Sequence, residues 1–249
     1  MNKFVLYPVG SSDSCQYAAT FLKQEGFPLT DHPSPDVTHL LLDIPTIDEK
    51  GLLRNGTSLQ ELLRMLPKTI TVIGGNLNAD HLKDYRKMDL LKDSCFAAKN
   101  ARITAECALR AAAPYLPATF ADSPALILGW GRIGKCLAGL LSSVGCPVTV
   151  AARKESDRAM LEALGFGAVD FSGIEKQLLH HMVIFNTVPE GITLEDKSDH
   201  CVKIDLASAP GLQGSNIITA RGLPGKYAPE SAGKLIAETI IRLNKEEVT

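Results

Sequence analysis

The glycines of "GWGRIG", Gly129, Gly131 and Gly134, have the spacing G-x-G-x-x-G, and the chemistry such a loop serves is the holding of a phosphate chain. The first glycine suits a tight turn, the second lets a backbone approach a pyrophosphate, and the third lets a helix pack closely on a strand. Free backbone N–H groups and the helix dipole favour the anion, with Trp130, Arg132 and Ile133 filling the positions between. The next apolar run ends in "VTVAARKES". A carboxylate at that point accepts hydrogen bonds from the ribose hydroxyls of NAD, whereas a cation accommodates the extra phosphate of NADP. No acid stands at Ala151 or Ala152, and Arg153, Lys154 and Ser156 can all donate to a phosphate. NADP is therefore the expected cofactor, and two solvated cations on a surface loop are the alternative.

Ligands of open parallel sheets sit beyond the carboxyl ends of the strands, so later strand ends are candidates too. "MVIFNTVP" offers Asn186, Thr187, Val188 and Pro189, and "KIDLASAPG" offers Asp205, Leu206, Ala207 and Ser208. Asp205 is read as organising its loop by hydrogen bonding rather than transferring a proton.

These residues need a scaffold, and the sequence describes one. Apolar runs at "KFVLYPVG", "VTHLLLDI" and "TITVIGGN" alternate with helical segments near Ser14 to Glu25 and Ser58 to Met65, as in a small parallel α/β layer. An alanine-dense segment from Phe96 to Leu116 favours helix, with Thr104 as an N-cap candidate and Glu106 in the first turn. Pro114, Pro117 and Pro124 mark its end. From Ala125 onward come five strand-like runs, "ALILGWG", "CPVTVAAR", "MVIFNTVP", "CVKIDLAS" and "NIITARGLP", separated by helix-length segments. That pattern describes a Rossmann-type, doubly wound parallel sheet. A last helix begins at Pro229, with Leu235, Ile236, Thr239, Ile240 and Leu243 at helical spacing. The expected division is an N-terminal α/β domain over 1–95 completed by 229–249, an interdomain helix over 96–118, and a Rossmann NADP-binding domain over 119–228.

Composition excludes some partners. The chain has 249 residues, 45% of them hydrophobic, and a formal charge of -2 with both signs mixed, which offers no basic face for nucleic acid and no polybasic tail for a membrane. No apolar stretch reaches the roughly 20 residues that span a bilayer. The expectation is a cytoplasmic protein whose scattered cysteines, with no C-x-x-C pair and no metal-ligand spacing, act as small packing residues. No metal site is expected.

The stretch "ARGLPGKYAPESAGKLI" is similar to the G-L-P-G-x-x-A-P-x-x-A-G signature of the dipicolinate synthase A-subunit family. "LGWGRIGK", "AARKES", "FNTVP" and "DLASAPG" resemble the same family in content, order and spacing, over roughly Asp89 to the C-terminus. "NARITAE" resembles its N-x-x-x-T-x-E, although Ile103 stands where that family usually has Pro. The resemblance implies two α/β domains, the second binding NADP, with a C-terminal helix returning to the first. It also implies a partner, the flavoprotein-like B subunit. Together the two oxidise a dihydrodipicolinate-type intermediate of the lysine pathway to pyridine-2,6-dicarboxylate, which accumulates in endospores during sporulation. On that reading Asn100, Thr104 and Glu106 lie near the cleft. Pro224, Gly225 and Lys226, with Arg132, are candidates to contact a small dicarboxylate ring. Glu106 is the candidate base, its pKa to be raised by burial.

Two other readings stay open: an NADP-dependent 2-hydroxy or 2-keto acid dehydrogenase, and a non-catalytic NADP-binding subunit or sensor. The first usually needs a His acid/base, and none of the six histidines sits in a recognisable catalytic motif. A homodimer through apolar helix faces is left open.

Overall fold

Short apolar runs bounded by turn residues become short parallel strands. The computed structural model describes residues 4–46, 52–194, 201–207 and 211–246. In chain order, β1 (Leu6–Pro8) leads to α1 (Asp13–Gln24), β2 (His39–Leu41) to α2 (Leu59–Arg64), and β3 (Thr71–Gly74) to β4 (Arg86–Asp89). The long α3 (Ser94–Ala112) follows. Then come β5 (Ala125–Leu128), α4 (Arg132–Ser143), β6 (Val148–Ala151), α5 (Glu155–Ala163) and β7 (Gly167–Val169). The short α6 (Ile174–Gln177) precedes β8 (Val183–Asn186), β9 (Ile192–Thr193), β10 (Val202–Asp205), β11 (Leu212–Gln213) and β12 (Ile217–Thr219). The chain closes with α7 (Leu223–Tyr227) and α8 (Pro229–Glu246). Two compact units result, Met1–Asn100 with Pro224–Thr249, and Ala101–Leu223.

The first unit holds a parallel sheet in the order β1-β2-β3-β4. Its helices start where the sequence supplies caps. Ser12 accepts from the Cys15 N–H at the head of α1, and Ser58 accepts from the Glu61 N–H at the head of α2. Leu40, Leu42, Leu59, Leu62, Leu63, Ile70 and Val72 form the core between α2 and the sheet. The helix α8 returns to this unit and packs on α1. Gly233 makes that approach close, since a Cβ there would lie 2.6 Å from the Ser14 carbonyl oxygen. Arg242 of α8 also reaches Asp93 Oδ1 at 2.6 Å. Sequence periodicity passed over β4, because "RKMD" is an edge strand whose Arg86 and Lys87 are exposed and only Met88 is buried.

Thr104 does not cap a helix. The helix α3 begins ten residues earlier, where Asp93 Oδ1 accepts the Phe96 N–H at 2.7 Å, and Thr104 is buried in its interior. The local sequence "SCFAAKN" contains no breaker, so the Asp93 cap sets the start instead.

The second unit is a parallel sheet in the order β12-β10-β8-β5-β6-β7. Chain order reverses between β5 and β8, so the carboxyl ends of these two strands form a topological switch point. "ALIL" in β5 is buried at every position, as a central strand covered on both faces requires. The edge strand β7 joins the five strands expected from sequence; its "GAV" is only partly covered and too short to show a period. A small parallel pair, β11 and β9, lies apart from the main sheet. Among the described residues no helix is long and apolar enough to cross a membrane. The cysteines are free thiols, and burial pushes Cys15 up to about 12 and Cys146 up to about 11.

Candidate functional site

The three glycines occupy three different environments at the switch point. Gly129 has φ 104°, the left-handed region, and a Cβ there would stand 2.8 Å from Val188 Cγ2. Gly134 is pressed so closely against the turn that a Cβ would collide with the Gly129 carbonyl oxygen. Gly131 is the opposite case, because nothing lies within 4 Å of where its Cβ would be. It is exposed and serves as the N-cap of α4, with no side chain capping the helix and no acid in the first turn. No side chain caps the first turn of this twelve-residue helix and the space beside Gly131 is open, a fit for an anionic group at that point.

Around this loop runs a groove of about 340 Å³. Its walls come from the ends of β5 (Gly129, Trp130, Gly131), β6 (Ala152, Arg153, Lys154) and β8 (Thr187, Val188, Pro189). Asp157 and Phe171 complete it. A larger hollow of about 510 Å³ between α1 and α8 carries no motif residue, so the smaller groove is the functional candidate.

The loops that form the walls are held from behind. Thr187 Oγ1 donates to the Leu128 carbonyl at 2.9 Å, joining the ends of β8 and β5. Arg158 Nη1 donates to the carbonyls of Ala152 and Arg153, each at 2.8 Å, and pairs with Asp170 at 3.0 Å. The N–H and O–H donors of Ser172 and the Arg158 charge hold Asp170 below the usual carboxylate range. Arg153 Nη2 lies 2.8 Å from Glu190 Oε1 and its guanidinium is 6.0 Å from the Phe171 ring. Trp130, half-buried, meets Phe166 edge-on at 6.2 Å, with the Lys135 ammonium 5.6 Å from its ring.

Several expected site residues stand elsewhere. Asn186 is fully buried, and its amide is consumed by Asp205 Oδ1 at 2.8 Å, the Val188 carbonyl at 3.0 Å and the Val188 N–H at 3.0 Å. It therefore supports the groove wall without facing the groove. Asp205 accepts further N–H groups from Ala207, Gly211 and Leu212, which is the loop-organising role expected of it. Leu206 and Ala207 are buried in the same network, and Ser208 lies outside the described residues. Arg132, Ile133 and Ser156 are on the first turns of α4 and α5 but do not line the groove, where Asp157 takes the place expected for Ser156.

Glu106 loses the premise that made it a base. Its side chain is 57% exposed and pairs with Arg102 at 2.6 Å on the same helix face, so the expected burial is absent. Asn100, Pro224, Gly225 and Lys226 belong to the first unit. There a Cβ on Gly225 would lie 3.5 Å from Ser14 Oγ, and the Lys226 ammonium stands 5.2 Å from the Tyr227 ring.

Sequence reading missed Arg158, Asp157, Phe171 and Glu190. Arg158 is the one with a local signal, since a basic residue about one helical turn after Lys154 can reach back to that loop's carbonyls. Phe171 and Glu190 come from loops after β7 and β8, and only the sheet order brings them to β6.

No protein-family model matches the chain. The dipicolinate synthase A subunit of Bacillus subtilis is 24% identical to it, over 86% of this chain and 80% of that protein. The crystal structure of the dipicolinate synthase A subunit from Bacillus halodurans superposes with a TM-score of 0.85 at 23% identity, covering 98% of both chains. A transhydrogenase from Sinorhizobium meliloti follows at a TM-score of 0.67 and 10% identity, covering 98% of this chain and 94% of that one. A D-isomer specific 2-hydroxyacid dehydrogenase from Xanthobacter autotrophicus reaches 0.51 at 15% identity, covering 99% and 98%. The likeness to the dipicolinate synthase A subunit, carried in the sequence by the glycine loop, the "AARKES" strand end and the "GLPGKYAPESAG" stretch, thus extends to the fold of nearly the whole chain.

Proposed function

We propose that this chain is an NADP-dependent oxidoreductase of the dipicolinate synthase A-subunit type. The observation that carries this reading is the pairing of an open phosphate cradle at Gly131 with Arg153 and Lys154 across the same groove. The likeness to the dipicolinate synthase A subunit supports the proposed substrate class, a partly reduced, dicarboxylated ring whose oxidation completes its aromaticity.

When bound, a nicotinamide would supply the acceptor for a hydride, and the ring's proton would pass to water to complete the two-electron oxidation. The chain's own residues do the placing. The first N–H groups of α4 would hold the pyrophosphate, and Arg153 and Lys154 would take the 2′-phosphate. Thr187 to Pro189 form the wall on the β8 side, kept rigid by Asn186 and Asp205. Lys226 and the backbone N–H groups around Gly225 are the proposed contacts for the ring's carboxylates. A flavoprotein-like B subunit is the proposed partner, and sporulating cells the proposed setting.

The test uses Trp130, the chain's single tryptophan, which lines the groove and so reports a bound dihydronicotinamide by energy transfer. Titration with NADPH and NADH is expected to show tighter binding of NADPH, and Arg153→Ala to remove the preference. Ring oxidation is then assayed with and without a B subunit. Equal binding of both nucleotides overturns the NADP assignment. Tight NADPH binding with no turnover in either assay would favour a binding or sensing subunit.

A further inference from the structure

We propose that Glu190 limits the NADP preference of the groove by competing with the 2′-phosphate of NADP for Arg153. The inference rests on the reading of the groove as an NADP site.

The strands β6 and β8 lie on either side of β5. The 2.8 Å pair between Arg153, after β6, and Glu190, after β8, therefore crosses the carboxyl end of β5, where the glycine loop sits. Among the described residues this ion pair joins the two walls of the groove. Lys154, the neighbouring cation, makes no ion pair among the described residues, so the two cations of "AARKES" are not equivalent.

The pair is built to exchange. Its side chains are 62% and 61% exposed, and an ion pair so solvated is held only weakly. A phosphate monoester brings close to two negative charges and three acceptor oxygens to a guanidinium that can bind it bidentately. Arg153 then leaves Glu190 for the phosphate. A dinucleotide without that phosphate makes no demand on Arg153, which keeps its carboxylate partner. Glu190 thus lowers affinity for NADPH and leaves NADH untouched, limiting the preference that Arg153 creates.

The experiment follows Trp130 energy transfer on titration with NADPH and with NADH, for the parent, Glu190→Gln, Arg153→Ala and the double variant. Glu190→Gln is expected to bind NADPH about two- to fivefold more tightly, the range of an exposed ion pair. NADH affinity is expected to stay unchanged, and the gain to vanish when Arg153 is also replaced. A gain that persists without Arg153 overturns the competition and assigns direct repulsion instead. Unchanged or weaker NADPH binding in Glu190→Gln, with the preference still lost in Arg153→Ala, overturns the role of Glu190 and leaves the NADP reading standing. Equal affinities in the parent, unmoved by either substitution, overturn both together.

Discussion

The side-chain amide of Asn186 donates to Oδ1 of Asp205 across 2.8 Å, and the two residues are register partners at the buried carboxyl ends of β8 and β10. One carboxylate there satisfies the Asn186 amide and the N–H groups of Ala207, Gly211 and Leu212. Asp205→Ala removes the acceptor these donors share at a buried site. It is expected to lower stability by about 2–4 kcal/mol in urea denaturation and to weaken nucleotide binding by loosening Val188. Unchanged stability would show that the network is not needed to hold the strand ends.

Gly131 and Gly134 are expected to respond in opposite ways to the same methyl group. At Gly131 the Cβ meets nothing, so Gly131→Ala keeps stability within about 0.5 kcal/mol while nucleotide affinity falls by roughly tenfold or more as the phosphate path narrows. At Gly134 the methyl runs into the Gly129 carbonyl, and a loss of about 1–3 kcal/mol is expected from overpacking. Thermal unfolding and Trp130 titration of both variants separate the two effects. Loss of stability in Gly131→Ala would contradict the open cradle.

A glycine inside a helix normally costs about 1 kcal/mol relative to alanine. Gly233→Ala in α8 is expected to reverse that sign, because its Cβ would lie 2.6 Å from the Ser14 carbonyl oxygen and 2.9 Å from the Ala18 nitrogen, both backbone atoms of α1. A lowered melting temperature is the expected reading. A raised one would mean that α1 and α8 can separate without loss.

Burial lowers the pKa of His39 to about 4, where its ring stacks on Phe4 at a centroid distance of 4.0 Å. The folded chain keeps this ring neutral while the unfolded chain protonates it below about pH 6.5. Its contribution to stability is therefore full above that pH and is lost as pH falls towards 4. Melting temperatures measured from pH 7 to 4 are expected to fall more steeply for the parent than for His39→Phe. Parallel curves would show that the ring titrates normally.

The glycine loop was legible in the sequence because its three glycines are demanded by local geometry: a left-handed turn, an open approach and a close helix packing. The strands "ALIL" and "VIFN" were legible because a central parallel strand is apolar at nearly every position. The helix starts expected near Ser14, near Ser58 and at Pro229 likewise depend on a few adjacent residues. The edge strands β4 and β7 were not legible, since half-covered strands carry no continuous apolar signal. What only the tertiary structure decided was which polar side chains face the groove. Asn186 turned inward because Asp205 stood beside it in the neighbouring strand, Glu106 stayed in solvent with Arg102, and Glu190 reached Arg153 across β5. Those outcomes depend on strand order and register, which bring together residues tens of positions apart and leave no trace in local spacing.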